Sequence, residues 1–390
     1  MRFFYNKAIT INNPLRIFFL CGSRLLKNKL KVKINNDEYE IEDKRKVIQN
    51  FLDETYPSRN FRSVILEDNF MFGNKSPRHL NYNDINLKSL KSIELLTSLF
   101  SDNVFIVHES FSTAAEIGLF SASESINNKL VILTPNDLSV EEDYISGFMQ
   151  LAYQKNRNTK HKIKIIYYNP GIYNFHVSDQ VRKLHTFFIN NEIKGTLKTQ
   201  LTSHLDYLGT KKILFGRRQG LQNRFKNHYM LNESKIRVIL DSNDFFSYLI
   251  SLFNLSLFRD SFIQEVDMSH LRKNNEQNRR KSLFNEVAKR VETYFKEGIY
   301  NTIKTDIPNI ESEFGPIEKI DSFIEITLDY QVVPIKDCIS YYLYILYALA
   351  YISFADNNTR FKISRGFSPV YEEYKDLIQV VKSDKNMWCK

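Results

Sequence analysis

The first half of the chain alternates short apolar runs with stretches of helical spacing. Residues 16–21 (RIFFLC), 64–66, 104–107 (VFIV), 130–133 (LVIL) and 163–168 have strand length and no regular polar interruption. Such runs suit a parallel sheet covered on both faces. Between them, residues 42–55 place Val47, Ile48, Phe51 and Leu52 on one helical face. Residues 86–100, the stretch carrying Glu116, 140–154 and 177–193 also read as helices. The charged segment 27–43 reads as an exposed loop or hairpin. Residues 72–83, with Gly73, Pro77 and several Asn, read as a mobile surface loop. Five strands alternating with helices over the first 195 residues predict an α/β, flavodoxin-like, doubly wound parallel sheet.

The second half loses that rhythm. Residues 197–227 are basic, 244–262 carry an apolar-rich helix pattern, and 274–281 (NNEQNRRK) read as a charged break. Helical periodicity returns at 284–300, a loop is expected at 311–316, and a last helical block surrounds 341–354. A small β element is expected near 323–333, and no internal repeat is visible. The boundary falls near 194–210, which predicts a domain at 1–195 and a second, mainly helical one at 196–390.

Composition narrows the class. With 43% hydrophobic and 25% charged residues, the chain can bury a substantial core. Cys21, Cys338 and Cys389 lie far apart with no CxxC pair, which speaks against a zinc site or disulfide framework. It points to a reducing, cytoplasmic setting. The N-terminal apolar core is short and polar-flanked, unlike a signal peptide. The longest apolar run, 341–355, has 15 residues where a membrane span needs about 20, so it predicts a buried helix and no membrane association. Tyr341, Tyr342, Tyr344, Tyr347 and Tyr351 fall around that helix, as in a core or a homo-oligomer interface. A net charge of +9 favours an anionic partner without identifying one.

The candidate chemistry gathers in residues 103–134, a strand–loop–helix–strand unit. Ligands of doubly wound sheets bind at the carboxyl ends of the strands, where residues 109–116 fall. Glu116 there can attack an anomeric carbon or stabilise an oxocarbenium-like transition state. The competing reading is a helix start, with Ser112 or Thr113 as N-cap and the carboxylate favoured by the helix dipole. Spacing alone favours this second reading. Glu109, Ser110, Ser112 and Thr113 suit ribose hydroxyls or a phosphate, or simply a capped loop. Glu67 and Asp68 end the second strand and could share the cleft, where paired carboxylates divide acid and base roles; such a pair is also a common turn signal. In KKILFGRRQGLQNRFKN (211–227), Lys211, Lys212, Arg217, Arg218, Arg224 and Lys226 interleave with Phe215 and Phe225. That pattern suits nucleic acid as well as it suits a solvated face. His108, His176, His185 and His204 are scattered and read as structural, with no metal site and no cofactor implied.

The segments FFLCGS (18–23), ILEDNF (65–70) and STAAEIGLFSASE (112–124) together resemble the nucleoside deoxyribosyltransferase-like superfamily. The similarity is greatest to the N-terminal domains of effector proteins from bacterial retron anti-phage systems, and covers roughly residues 14–195. The resemblance implies Glu116 as the catalytic glutamate at C1′ of a (deoxy)ribose. Cys21, Gly22, Ser23, Glu67, Asp68, Glu109, Ser110, Ser112, Thr113 and Gly118 would line the nucleoside pocket. The transferases usually carry an aspartate about six residues before the glutamate. Ser110 stands at that place here, which favours hydrolysis or an altered substrate over base exchange. The resemblance also implies partners: a retron reverse transcriptase and its multicopy single-stranded DNA, which restrain the toxic domain. The resulting expectation is a toxin-like N-glycosidase acting on NAD, a (deoxy)nucleotide or a base in nucleic acid. The alternative is a non-catalytic nucleotide-sensing or nucleic-acid-binding subunit.

Overall fold

Four of the five apolar runs form strands where their pattern predicts, while the second strand lies earlier than the expected 64–66, at Phe61–Val64, with Leu66 in a 3-10 turn. The computed structural model describes all residues except 5, 23–28, 35–36, 69–79, 81, 86, 88, 109–110, 136–162, 179–180, 219–224, 233–234, 270–275, 309, 311, 313–322, 329–333 and 381–390. The chain forms two compact units, one of Leu15–Leu66 with Thr97–Gly209, the other of Met1–Pro14, Glu67–Leu96 and Thr210–Lys390. The linear division expected at residue 195 therefore has a more interleaved counterpart, in which two early segments group with the C-terminal part.

Two short strands, β1 (Arg2–Phe3) and β2 (Ile9–Ile11), precede the sheet. The sheet strand β3 (Arg16–Gly22) leads into a hairpin of β4 (Lys29–Ile34) and β5 (Asp37–Glu42), then helix α1 (Lys44–Thr55) and β6 (Phe61–Val64). Helix α2 (Leu90–Phe100) precedes β7 (Asn103–Val107), α3 (Phe111–Ser121), the single turn α4 (Glu124–Asn127) and β8 (Leu130–Pro135). Strand β9 (Lys164–Tyr168) completes a five-stranded, all-parallel sheet in the order β6-β3-β7-β8-β9. Numbered within the sheet this is 2-1-3-4-5, the flavodoxin-like order, whose direction reverses between β3 and β7. The helix expected at 140–154 lies outside the described residues, as does most of the expected loop at 72–83.

Sheet alternation sorts the core. Phe18, Leu20, Phe105, Val107, Val131 and Leu133 meet Val47, Ile48, Phe51 and Leu52 of α1 on one face, together with Leu197, Leu201 and Leu205 of α5 (Gly195–Leu205). Phe19 points the other way, its ring 6.1 Å from Phe120 of α3. Helix α1 starts where Asp43 accepts from the Arg45 amide at 2.9 Å, and it stops at Thr55, leaving Tyr56 outside because the ring of Pro57 disfavours helix in the residue preceding it.

The helix expected at 177–193 is instead a hairpin of β10 (Gly171–Ser178) and β11 (Val181–Phe187). The segment is rich in β-branched and aromatic residues, which fit a pleated surface better than a helix. Long-range bonds then hold it. Lys44 Nζ donates to the Thr186 hydroxyl at 3.2 Å, and Asn191 accepts from the Glu42 amide (2.9 Å) while donating to the Glu40 carbonyl (2.6 Å). In the β4–β5 hairpin the register sets Lys29, Lys31 and Lys33 opposite Glu42, Glu40 and Glu38, which favours pairing over slippage.

His204 of α5 is half-buried, 6.4 Å from the Phe105 ring and 5.4 Å from Tyr207. Burial first, and the Lys164 charge second, push its pKa from 6.5 down to about 4. The fold thus holds it neutral, while the unfolded chain takes up a proton below about 6.5. Its contribution is full above that pH and is lost as pH falls toward 4. The melting temperature should drop between pH 7 and pH 5, and drop less in His204→Phe; equal slopes in a thermal scan would refute this.

In the second unit, β12 (Lys211–Ile213) pairs with β2, and a four-stranded sheet follows. Its order is β13 (Phe215–Arg217), β14 (Asn227–Asn232), β15 (Lys235–Leu240) and β16 (Ile324–Leu328). Helices α6 (Ser242–Ser251), α7 (Ser256–Ile263), α8 (Glu276–Asp306) and α9 (Ile335–Ala348) make this unit mainly helical, with β16 where the small β element was expected. The charged break expected at 274–281 is, from Glu276 on, the first turns of α8. Arg279 is buried there and donates to the Asn357 carbonyl at 2.8 Å, so tertiary bonding supports helix in a polar segment. Tyr341, Tyr342 and Tyr344 of α9 are core residues. Among the described residues no helix is long and apolar enough to cross a membrane.

Gly298 of α8 makes room for the N-terminus. A Cβ there would stand 2.6 Å from Phe3 Cε2 and 2.7 Å from Met1 Cε. Alanine gains about 1 kcal/mol of helix propensity, but overpacking a core costs about 1–3 kcal/mol. Phe3 is wedged against Tyr248 and Phe295, with centroids at 4.9 and 5.6 Å, so it cannot yield cheaply. Gly298→Ala should lower stability by about 1–2 kcal/mol. A urea midpoint at or above wild type would refute it.

Candidate active site

The reversal between β3 and β7 opens the carboxyl edge of the sheet, and the candidate residues of the first unit collect around it. Strand β3 ends at Cys21 and Gly22, whose register partners on β7 are Ile106 and Val107. Cys21 is buried on the face covered by α3. Gly22 belongs to the opposite face, where a Cβ would lie 3.2 Å from Val107 Cβ and 3.5 Å from Arg45 Cδ. The missing side chain lets the Arg45 stem pass. Its guanidinium forms a buried two-pronged pair with Asp43, Nε to Oδ1 at 3.1 Å and Nη2 to Oδ2 at 2.8 Å. This pair beside the switch point has no local sequence signature, because only folding brings the start of α1 to the tip of β3.

Strand β7 runs directly into His108, a buried residue whose amide donates to the Leu133 carbonyl of β8 at 2.9 Å. His108 Nδ1 and the Thr113 hydroxyl lie 3.2 Å apart in a hydrogen bond. Helix α3 begins at Phe111, so Ser112 and Thr113 fall inside its first turn and neither is the N-cap. Thr113, Ile117 and Phe120 form its buried stripe. Glu116, three residues after Thr113, borders that stripe; it is half-buried, with Oε2 shielded from solvent. A carboxylate on the rim of a core, one turn into a helix at a strand's carboxyl end, combines a low-dielectric wall with an open side. Gly118 is exposed and a Cβ on it would meet open space, so it lines no close contact. Ser23, Glu109 and Ser110 lie outside the described residues.

Glu67 and Asp68 follow β6 in a short 3-10 turn and group with the second unit. Their charges act on the buried Tyr344 phenol, which burial, then Tyr341, Asp68 and Glu67 raise well above its ordinary pKa. Burial and the Glu67 charge also raise the Glu94 carboxyl.

The basic stretch is only partly a surface. Lys211 is largely enclosed, its side chain 11% exposed, pairing with Asp244 Oδ1 at 3.0 Å and donating to the Asn243 carbonyl and the Ser247 hydroxyl at 2.8 and 2.9 Å. A lysine so enclosed does not face a polyanion. Phe215 is likewise core. Lys226 pairs with Asp241, Lys212 is exposed, Arg217 and Arg218 are half-buried, and Arg224 lies outside the described residues.

A family model described as STM3845 retron effector protein matches residues 42–250, a span that includes α1, the His108–Glu116 edge and the strands β12–β15. No curated protein matches the chain.

Proposed function

The chain belongs to the STM3845 retron effector family, and on that premise we propose that it is a toxin-like anti-phage effector that hydrolyses the N-glycosidic bond of a nucleotide or nucleoside through Glu116. The observation that carries this is the position of Glu116: half-buried on α3, beside the carboxyl end of β7 and the reversal of strand order. The similarity of its sequence setting to nucleoside deoxyribosyltransferase-like proteins supports the same reading.

In this reaction the C1′–N bond breaks with its electron pair leaving on the base; an anionic base takes up a proton, while nicotinamide, cationic in NAD, leaves neutral. The Glu116 carboxylate either bonds to C1′ or stands against the positive charge that grows there. Water then supplies the new C1′–O bond and gives up a proton. A half-buried carboxylate suits this role because its field is less screened than in bulk water. Regulation is part of the proposal: a reverse transcriptase with its multicopy single-stranded DNA holds the enzyme off, with the exposed Lys212 and the half-buried Arg217 and Arg218 as its phosphate contacts.

The test incubates purified protein, alone and co-expressed with the retron partners, with NAD, deoxynucleotides and single-stranded DNA, and follows free base by liquid chromatography. Base release identifies the substrate. Nucleotide binding without release in either preparation would leave a nucleotide sensor in place of the enzyme.

A further inference from the structure

We infer that Thr134 is a substrate-holding residue, its hydroxyl bonding a sugar hydroxyl of the nucleotide. The inference rests on the glycosidase reading above and adds a residue that the sequence pattern did not mark.

Thr134 interrupts an otherwise apolar strand, LVILTP, at its carboxyl end. It is fully buried, yet its Oγ1 makes no hydrogen bond. Leaving a buried hydroxyl unsatisfied costs about 1–3 kcal/mol, and native proteins keep few such groups. Valine has the same shape and would fill the position without that penalty. The hydroxyl therefore has a purpose other than packing.

Its placement indicates which. Leu133 pairs with Val107, and the Leu133 carbonyl takes the His108 amide, so Thr134 stands at the level of His108 on the neighbouring strand. Val131 and Leu133 point into the core under α1. By alternation Ile132 and Thr134 point to the opposite face, the one covered by α3. Thr113, bonded to His108, and Glu116 belong to that helix. The unused hydroxyl thus shares a sheet face and a sheet edge with the proposed catalytic carboxylate. Tyr167, the register partner of Thr134 on β9, is 39% exposed on the same face and offers a ring on which a base can stack. A sugar hydroxyl between Glu116 and that ring is the ligand group that a lone threonine hydroxyl recognises.

The test compares Thr134→Val and Thr134→Ser with their parent in the full-length protein. Melting temperature is measured for all three. Binding of NAD, dATP and 2′-deoxyadenosine is measured by calorimetry with each change placed on Glu116→Gln, which prevents turnover. The expected result is that T134V melts at or above the parent temperature but binds the preferred probe about tenfold more weakly, while T134S binds like the parent. A lower melting temperature with unchanged affinity would make Thr134 structural and overturn the inference. If wild type releases base and T134V releases it equally well, this assignment falls and the glycosidase stands. If none of the probes binds and wild type releases no base, both fall together.

Discussion

Glu116→Gln is expected to lower base release by about a thousandfold or more while leaving the fold intact. Glutamine keeps the size and shape of the side chain but has neither the charge that opposes a growing cation at C1′ nor the nucleophilic oxygen that could bond there. The packing of α3 rests on Thr113, Ile117 and Phe120, all fully buried, and glutamine keeps the volume of the side chain beside them. Circular dichroism should therefore match wild type, and the loss should lie in turnover more than in nucleotide affinity. Cells expressing the variant should lose whatever toxicity the wild-type protein causes. A variant retaining base release within tenfold of wild type would remove Glu116 from the chemistry. That result would favour the helix-start account of this glutamate.

The largest expected effect on stability comes from Asp244→Ala, at about 3–5 kcal/mol. Asp244 sits in the first turn of α6, with its Oδ1 3.0 Å from Lys211 Nζ and its Oδ2 accepting from Asn227 Nδ2 at 2.7 Å. Both charged side chains are nearly excluded from water, at 11% and 4% exposure, so solvent screens the pair little. Removing the carboxylate leaves the largely enclosed Lys211 ammonium without its counter-charge and frees the Asn227 side-chain amide as well. The double change Lys211→Met with Asp244→Leu should recover much of the loss, because apolar replacements leave no unpaired charge. Urea midpoints of the three variants check this. A single-variant loss below about 1 kcal/mol would mean that the site is hydrated and the pair weak.

The same pair shows why a basic stretch is hard to read from sequence. Lys211 and Lys212 are adjacent and chemically identical, yet β12 turns one toward Asp244 and leaves the other exposed. Which lysine is free for a polyanion depends on a partner 33 positions away, and no local pattern records it. Segment 177–193 misled for a related reason. Its apolar positions tolerate helical spacing, while Lys44 and Asn191, brought close only by folding, fasten the strands. Glu67 and Asp68 follow a sheet strand in the chain, yet their charges act on Tyr344, far along the sequence.

What the sequence alone determined is whatever depends on neighbours along the chain. Continuous apolar runs set the central parallel strands β3, β7 and β8, since only burial on both faces tolerates them, and the alternation of strands with helices set the doubly wound class. Strand, loop and helix in succession brought Thr113 and Glu116 to a strand's carboxyl end, so the leading catalytic candidate was legible locally. Tertiary structure alone decided the rest: the placement of the Arg45–Asp43 pair beside Gly22, the enclosure of Lys211 beside Asp244, and the idle hydroxyl of Thr134. Each depends on which strand or helix lies alongside, and hydrogen bonding and burial across such distances are written in no single stretch of the chain.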